Sequence, residues 1–554
     1  MNPRESKVID QVNIKEDGNT TINSSSLFRS FSKTQYEFLT DYEGNNDGLE
    51  ALEKVDRTGM SEEQKDYTSF YFILKNLSPN FGSAFFYYII SFLETHFIGQ
   101  QKDAALLDGI GLALTYSTLL FYNQGLGISE ALAVLCSKSY GLKDYKMINI
   151  YTKQARFLTL IYALIYTLIN IFFIENILNV LAPGETYIDV SKDFIIYTMP
   201  SLFLELQFEI TAKFSESQLI YKPVLFGLAS ALVVNPILCW FTLSHLKMGV
   251  WGCIITTNAT AIVKICVITL TSACLNKTSE QKISAGLCDF KDYFKGFKKH
   301  LIIVLTCIWA TFMESGGKAI TGFIAVRMGQ HEYAKYIVLM NIANMFVILQ
   351  YSFYNTCCIL VGNIVGINRP SLLSKLMRNF YIVVIIVSTT VIILVIILHN
   401  PITFFFTELD DIKGSDIFWE IVFLSIGEGL SCIQQLSNGL VIGLEKIKRA
   451  SLIAFMCYFI ILPSLSYFMG IYFNLGLIGI ILSFLICHTF GATCLSIMIC
   501  CLNYQKCCKD YQVMLQLSNE KDEEELRMEN EEELEEDNES IADSALSQSI
   551  LKKL

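Results

Sequence analysis

Charge is scarce in this chain. Only 17 % of its 554 residues are Asp, Glu, Lys or Arg, against about 25 % in soluble domains, so ordinary water-soluble domains cannot account for most of it. Histidine is scarcer still, at six. No HExxH or HxxxxD pattern occurs, which leaves an intramembrane enzyme such as an acyltransferase without a catalytic cluster. No enzyme activity, cofactor or bound metal is expected. The 17 cysteines contain no pair of CxxC units with zinc spacing. Most lie inside apolar runs, as Cys239, Cys253, Cys266, Cys307, Cys432 and Cys487 do, which reads as free cysteine serving as a small hydrophobe. Cys500, Cys501, Cys507 and Cys508 follow the last apolar run and are candidates for palmitoylation. A signal peptide is also lacking. The first ~65 residues are polar, without an apolar h-region, so the first spanning segment is expected to act as its own targeting signal.

What the chain has instead is apolar sequence in blocks. Hydrophobic residues make up 52 % and aromatics 13 %. Twelve runs approach the ~20 apolar residues needed to cross a bilayer: 69–94, 106–136, 155–180, 193–214, 222–245, 250–275, 300–326, 334–364, 378–399, 417–442, 450–473 and 476–501. Basic residues gather in alternate connections. Lys138, Lys143, Lys146 and Lys153 follow the second run, and Lys277, Lys282, Lys291, Lys295, Lys298 and Lys299 follow the sixth. Arg369, Lys375 and Arg378 follow the eighth, and Lys446, Lys448 and Arg449 the tenth. The positive-inside rule then puts these connections and both termini in the cytoplasm. The opposite side carries the acidic Glu408-Leu409-Asp410-Asp411. The membrane is expected to be the plasma membrane or a vacuolar-type endomembrane.

The expected fold class is all-α integral membrane, with twelve transmembrane helices in two pseudo-symmetric six-helix lobes. The expected divisions are a disordered cytoplasmic arm (1–66), an N-lobe (67–276), a cytoplasmic inter-lobe connection (277–299), a C-lobe (300–502) and an acidic disordered tail (503–554). The tail holds much of the net charge of −11. The lobes rest on an internal repeat: Pro236, Gly249 and Gly252 recur as Pro463, Gly476 and Gly479, each pair 227 residues apart. Two similar halves point to a transporter with its site between them.

Ionised groups in lipid-facing spans cost at least ~2.5 kcal/mol, so acids there are informative. Glu94 ends the first span, Glu130 lies in the second, Glu205 and Glu209 in the fourth, Glu314 in the seventh and Glu428 in the tenth. A buried carboxylate can take up and release a proton, bind Na⁺ with further oxygens, or attract an organic cation. Each has a plainer reading. Glu205, Glu209 and Lys213 recur at i, i+4, i+8, the pattern of an ion-pair ladder on one helix. Glu130 is close enough to the cytoplasmic side to snorkel. Glu314 has Lys318 four residues on, and pairing would make it a static counter-ion. Glu428 has no basic residue within four positions. His96 and His488 read as hydrogen-bonded structural groups, and Gly316, Gly322, Gly427 and Gly429 as sites of close helix packing.

Several stretches then take on a common look. Gly127-Ile128-Ser129-Glu130-Ala131-Leu132 through Ser137-Lys138-Ser139-Tyr140-Gly141, followed by Gln154, resembles the second-span motif of the multidrug and toxic compound extrusion (MATE) family, with Lys138 where Gln is usual. Val361-Gly362-Asn363-Ile364-Val365-Gly366 is similar to that family's Val-Gly-Asn-x-x-Gly. Pro200, Lys213-Phe214, Gln218, Pro223, Asn235 and Gly249-x-x-Gly252 follow in family order. Gly141 and Gly366 become equivalents, 225 residues apart. The resemblance implies that Glu314 and Glu428 bind ion or substrate in the C-lobe and that Glu94 is an N-lobe ion site. Lys318, Glu130, Glu205 and Glu209 are candidate modulators. It implies a monomeric secondary antiporter that exports organic cations, xenobiotics or amphipathic metabolites in exchange for H⁺ or Na⁺, with the lipid bilayer and no nucleic acid as partner. Tyr116, Tyr122, Tyr351 and Tyr354 are candidates to line a cavity and stack on a cation. A related two-lobe flippase for lipid-linked sugars is the main alternative, and would call for a basic cavity. An intramembrane acyltransferase and a passive channel are weaker ones.

Overall fold

The computed structural model of the protein describes residues 68–101, 103–181, 187–275, 294–406 and 417–513. The expected arm at 1–66, the acidic stretch 408–411 and the acidic tail beyond 513 lie outside them. Twelve long helices make up the body, and no strand occurs among the described residues. The first six are α1 (Phe70–Gly99), α2 (Ala104–Ser117, a π turn at Thr118–Tyr122, then Asn123–Gly141), α3 (Tyr145–Leu181), α4 (Ile188–Ser217), α5 (Lys222–Cys239, then a π turn at Trp240–His245) and α6 (Val250–Leu275). The second six are α7 (Phe297–Val326), α8 (Gln330–Ile367), α9 (Pro370–Ile397), α10 (Phe418–Gly443), α11 (Ile447–Ala454 continuing through Leu462–Leu465 to Tyr472, with two π stretches) and α12 (Leu477–Cys500). A short helix, His399–Phe406, follows α9.

Local chemistry sets several ends. The Ser69 hydroxyl accepts from Phe72 N at 3.1 Å and starts α1. Asp144 Oδ1 accepts from Met147 N at 3.0 Å, so α3 begins at Tyr145, ten residues before its apolar run. Residues 504–513 are helical, with Cys508 and Tyr511 buried. The tail expected to be disordered from 503 is therefore ordered to 513, and Cys508 is shielded from acylation.

Nine of the helices are long and apolar enough to cross a membrane by composition alone. The other three are α1, α4 and α10, which carry Glu94, the Glu205–Glu216 series and Glu428. Polarity within the bundle lowers their hydropathy, yet their 30, 30 and 26 residues span about 39–45 Å at 1.5 Å per residue, beyond the ~30 Å hydrocarbon core. The outer faces are apolar: on α3 alone Phe157, Leu160, Leu164, Leu168 and Phe172 are exposed. The protein is an integral, multi-pass membrane protein.

The backbone repeats its turns. Among non-glycine residues with positive φ, Lys143 pairs with Asn368, Leu219 with Glu445 and Lys247 with Asn474, at offsets of 225, 226 and 227; Gly249 and Gly476 make a fourth pair. Left-handed residues are rare outside glycine, so matched pairs identify equivalent turns. The fifth helix of each half also ends in a π stretch, Trp240–His245 and Ser466–Tyr472.

The halves meet at the bundle end that holds the α2–α3 and α8–α9 turns. A Cβ on Gly141 would fall 2.9 Å from Gly366 Cα, and one on Gly366 would fall 2.9 Å from Gly141 Cα. Gly141 abuts the Asn363 carbonyl, and Gly366 abuts the Lys138 carbonyl. Shifting 138 and 141 by 225 gives 363 and 366, so these two contacts are one contact seen twice across a pseudo-two-fold axis. Gly427 and Gly429 do pack, against Leu485 and Ile392. Gly316 does not, since a Cβ there would meet open space, and Gly322 has only the Tyr336 hydroxyl at 3.8 Å. The close approach on α7 is made by Gly317, against the backbone of Tyr458.

Gly366→Val places a branched side chain into the facing α2 backbone. It should destabilise the protein by about 1–3 kcal/mol, read as a lower melting temperature in detergent, whereas Gly316→Ala should leave the melting temperature unchanged.

Candidate functional site

Buried polar groups gather in four clusters, one in each half and two between them. In the second half, Lys318 donates to Glu314 Oε1 at 2.8 Å, both on α7. Gln435 of α10 reaches the same oxygen at 3.4 Å. The Lys318 ammonium lies over the Tyr458 ring of α11 at 5.5 Å. Although both are mid-helix, the side chains of Glu314 and Lys318 keep 27 % and 38 % exposure. Glu428 is more enclosed. Gln350 of α8 donates to its Oε2 at 2.7 Å, and His488 of α12 faces its Oε1 at 3.9 Å. The charge of Lys318 also reaches Glu428.

In the first half, Thr257 of α6 donates to Glu94 Oε1 at 2.8 Å. Glu205 of α4 is ion-paired to Lys264 of α6, whose ammonium also lies over the rings of Phe208 at 4.8 Å and Tyr87 at 5.5 Å. Glu209 accepts from Tyr122 at 3.3 Å. The expected ladder on α4 is therefore not formed: Glu205 bonds across to α6 and Glu209 to α2. Lys213 turns the other way, to Glu216 at 3.2 Å. At i+8 it lies two turns from Glu205 and closer to the end where the halves meet.

The third cluster ties the halves together. Lys213 donates to Asn355 Oδ1 at 2.6 Å and to Tyr351 at 2.9 Å. Asn355 donates to Asn80 at 2.8 Å and to Glu216 at 2.9 Å, and Asn80 donates to Thr356 at 2.8 Å. Asn80, Lys213, Glu216 and Asn355 are all nearly fully buried. Of the four tyrosines expected to line a cavity, Tyr116 is instead a core residue that donates to Asn170 at 2.9 Å, and Tyr351 already holds the Lys213 ammonium over its ring at 4.9 Å. Glu130 is half-buried and faces inward, within electrostatic reach of Lys213 and Glu314. It does not snorkel.

Lys138 is likewise not a free loop lysine. It lies in α2, 1 % exposed, and its ammonium is 2.9 Å from Glu445 Oε1 in the α10–α11 turn. Lys299, at the start of α7, reaches the same oxygen at 3.2 Å. Tyr511, on the helix at 504–513, covers both ammonium groups at 4.7 and 5.3 Å.

The site residues Glu314 and Glu428 thus fall in one cluster, and Glu94, Glu205 and Glu209 in another. Sequence reasoning passed over Lys264, although Ile262-Val263-Lys264-Ile265-Cys266 meets the same test of a charge in an apolar run that found the acids. It also passed over Gln350, Gln435, Asn80 and Asn355, which are uncharged and common in polar helices.

A family model, MatE, matches residues 79–241 and 307–468. The chain belongs to the MatE family. The two matched segments start 228 and end 227 residues apart, the spacing of the internal repeat. Protein DETOXIFICATION 27 of Arabidopsis thaliana is 26 % identical over 181 residues, 32 % of this chain and 36 % of that protein. Protein DETOXIFICATION 39 of the same plant is 29 % identical over 133 residues, 24 % and 26 %. The chain thus spans only about a quarter to a third of the length of such relatives. Among solved structures, the eukaryotic MATE transporter AtDTX14 superposes with a TM-score of 0.70 at 14 % identity, over 79 % of this chain and 97 % of that one. A MOP superfamily transporter from Pyrococcus furiosus, described as having a binding pocket of reverse polarity, gives 0.70 at 12 % identity, over 77 % and 94 %. These likenesses establish the two-lobe MatE fold.

Burial works to raise the pKa of Glu445, but the ammonium groups of Lys138 and Lys299 outweigh it and hold the carboxyl at about 2 instead of 4.5. A depressed carboxyl stabilises the fold above its unfolded pKa and loses that contribution as pH falls through the folded value. Melting temperature should therefore drop between pH 4.5 and about 2, and Glu445→Gln should flatten that drop. Lys138→Gln, which restores the residue usual in this motif, should destabilise the protein by about 1–3 kcal/mol at neutral pH, since Lys299 remains to pair Glu445.

Proposed function

We propose that this protein is a secondary antiporter that exports organic cations in exchange for protons, by rocking one six-helix lobe (67–276) against the other (300–502). Both termini and the end where the halves meet face the cytoplasm in this reading, and the protein works as a monomer. The state described is then closed to the cytoplasm by the Asn80–Asn355–Lys213–Glu216 cluster and the Gly141–Gly366 contact, with the C-lobe carboxylates approached from the other side. Inward opening requires those contacts to separate.

The observation that carries the choice of ion is the set of atoms around Glu428. Its neighbours are the Gln350 amide nitrogen, the His488 ring nitrogen and the charge of Lys318. A hard cation such as Na⁺ takes oxygen ligands, so nitrogen neighbours favour a proton. Glu314 has the Lys318 ammonium at 2.8 Å, which makes it the ionised counter-ion that an incoming organic cation competes for. Glu428 is left as the proton carrier. In the N-lobe, Glu94 meets a hydroxyl rather than an ammonium and can serve as a second proton site. The lysines of both lobes are paired with acids, so they do not form the basic cavity that a flippase for lipid-linked sugars calls for.

Full-length protein in liposomes tests this. An imposed pH gradient should drive efflux of a fluorescent organic cation, and a Na⁺ gradient alone should not. Glu428→Gln should reduce pH-driven efflux at least about tenfold, the loss of about 1.4 kcal/mol or more of coupling. Coupling to Na⁺ alone, or to neither ion, would contradict the reading.

A further inference from the structure

Equivalent helices of the two lobes carry a matching acid–base pair. In the first lobe the pair bridges α4 and α6, Glu205 with Lys264; in the second it bridges α10 and α12, Glu428 with His488. The intervals within the pairs are 59 and 60 residues. The turns fix the alignment independently: the α4 and α10 ends are offset by 226 and the α6 and α12 starts by 227. On that alignment Glu428 and His488 each lie three residues, close to one helical turn, before the counterparts of Glu205 and Lys264. The same helix–helix seam thus holds both pairs, one turn apart in depth, and the base differs: a lysine in one lobe, a histidine in the other.

The atoms around His488 limit what its ring can do. His488 is 1 % exposed. Its Nδ1 lies 3.2 Å from Gln434 Oε1, and with that oxygen accepting, Nδ1 carries the hydrogen. Nε2 is buried without a hydrogen-bond partner and faces Glu428 Oε1 at 3.9 Å. The other carboxylate oxygen, Oε2, is taken by Gln350. That gap is longer than a hydrogen bond, so a proton carried on Oε1 or on Nε2 bridges the two once the side chains draw closer. With no proton, a lone pair would face a carboxylate in a dry site. The charged and titratable groups around the ring are Glu428 from α10, Glu314 and Lys318 from α7, Tyr458 and Cys457 from α11, and Cys487 on its own helix. A positive charge added beside Glu314 would push the shared proton out.

We propose that Glu428 and His488 together form the exchangeable proton site of the C-lobe, a single proton residing on Oε1 or on Nε2, and that the ion pair Glu205–Lys264 is its counterpart in the N-lobe. Building on the antiport reading, this makes His488 a positioning residue that sets the proton affinity of Glu428, while Glu205 is already taken by its ion pair with Lys264.

Infrared difference spectroscopy of the full chain in lipid tests the pair without any transport. The carbonyl stretch of protonated Glu428, identified by its loss in Glu428→Gln, is followed against pH. His488→Gln should move the titration midpoint by about one pH unit or more, about tenfold in proton affinity. Gln434→Leu, which frees the ring to change tautomer, should also move it and serves if His488→Gln does not fold. An unmoved midpoint in a folded variant would overturn the pair and leave antiport standing. A moved midpoint in protein that shows no proton-driven efflux would support the pair and remove antiport.

Discussion

Burying charge in a membrane protein is tolerable only when the charge is paired or can be neutralised. The arrangement of this bundle follows from that constraint. In the four polar clusters, four lysines each have a glutamate: Lys138 with Glu445, Lys213 with Glu216, Lys264 with Glu205 and Lys318 with Glu314. Once these are matched, Glu94, Glu130, Glu209 and Glu428 remain. Among the described residues, none of these four has a lysine or arginine within ion-pair distance. Glu94, Glu209 and Glu428 are held by neutral donors, Thr257, Tyr122 and Gln350. The matched acids are tied into ion pairs that hold the structure. Of the unmatched ones, Glu428 is the one that lies beside an imidazole and in the same cluster as Glu314–Lys318, which is why the proposed proton exchange is placed there.

The matched pairs also divide by place. Lys138–Glu445 and Lys213–Glu216 lie where the halves meet, and both involve residues from each half: Asn355 and Tyr351 bond to Lys213, and Glu445 lies across from α2. Lys264–Glu205 and Lys318–Glu314 lie within single lobes. A rocking motion can therefore break Lys138–Glu445 and the bonds from Lys213 to Asn355 and Tyr351, while Lys213–Glu216, within α4, and the two single-lobe pairs stay intact. The glycines at 141 and 366 allow the α2 and α8 backbones to touch, and the polar cluster beside them gives the closed state its hydrogen bonds. Tyr511 adds a lid over the Lys138 and Lys299 ammonium groups, which brings the segment after α12 into the same contact.

Much of this was legible in the sequence. Apolar run length gave twelve spans, and Pro236/Pro463 with Gly249/Gly476 gave the repeat, because the turn before α6 and its counterpart before α12 both need a left-handed residue and both hold glycine there. Glu314–Lys318 was legible because a one-turn pair needs no tertiary information. Partners on other helices were not. Spacing on α4 suggested Glu205, Glu209 and Lys213 would bond to one another, but three neighbouring helices offered better-placed groups, and each residue bonded across. Lys138 read as a loop lysine because its apolar run ends just before it, and only the fold brings Glu445 to it. The acids do not coincide when an offset of 227 is applied residue by residue. With α4 and α10 aligned through Leu219 and Glu445, Glu205 and Glu428 fall one turn apart on the same seam.

The division between locked and exchangeable acids is tested most directly by proton release from the solubilised protein. A lightly buffered sample with a pH indicator is mixed with a quaternary phosphonium cation, and released protons are counted. The account predicts release from the native protein, release retained in Glu314→Gln with weakened cation affinity, and none in Glu428→Gln. Release that persists in Glu428→Gln and disappears in Glu314→Gln would contradict it, by making the lysine-paired acid the proton carrier.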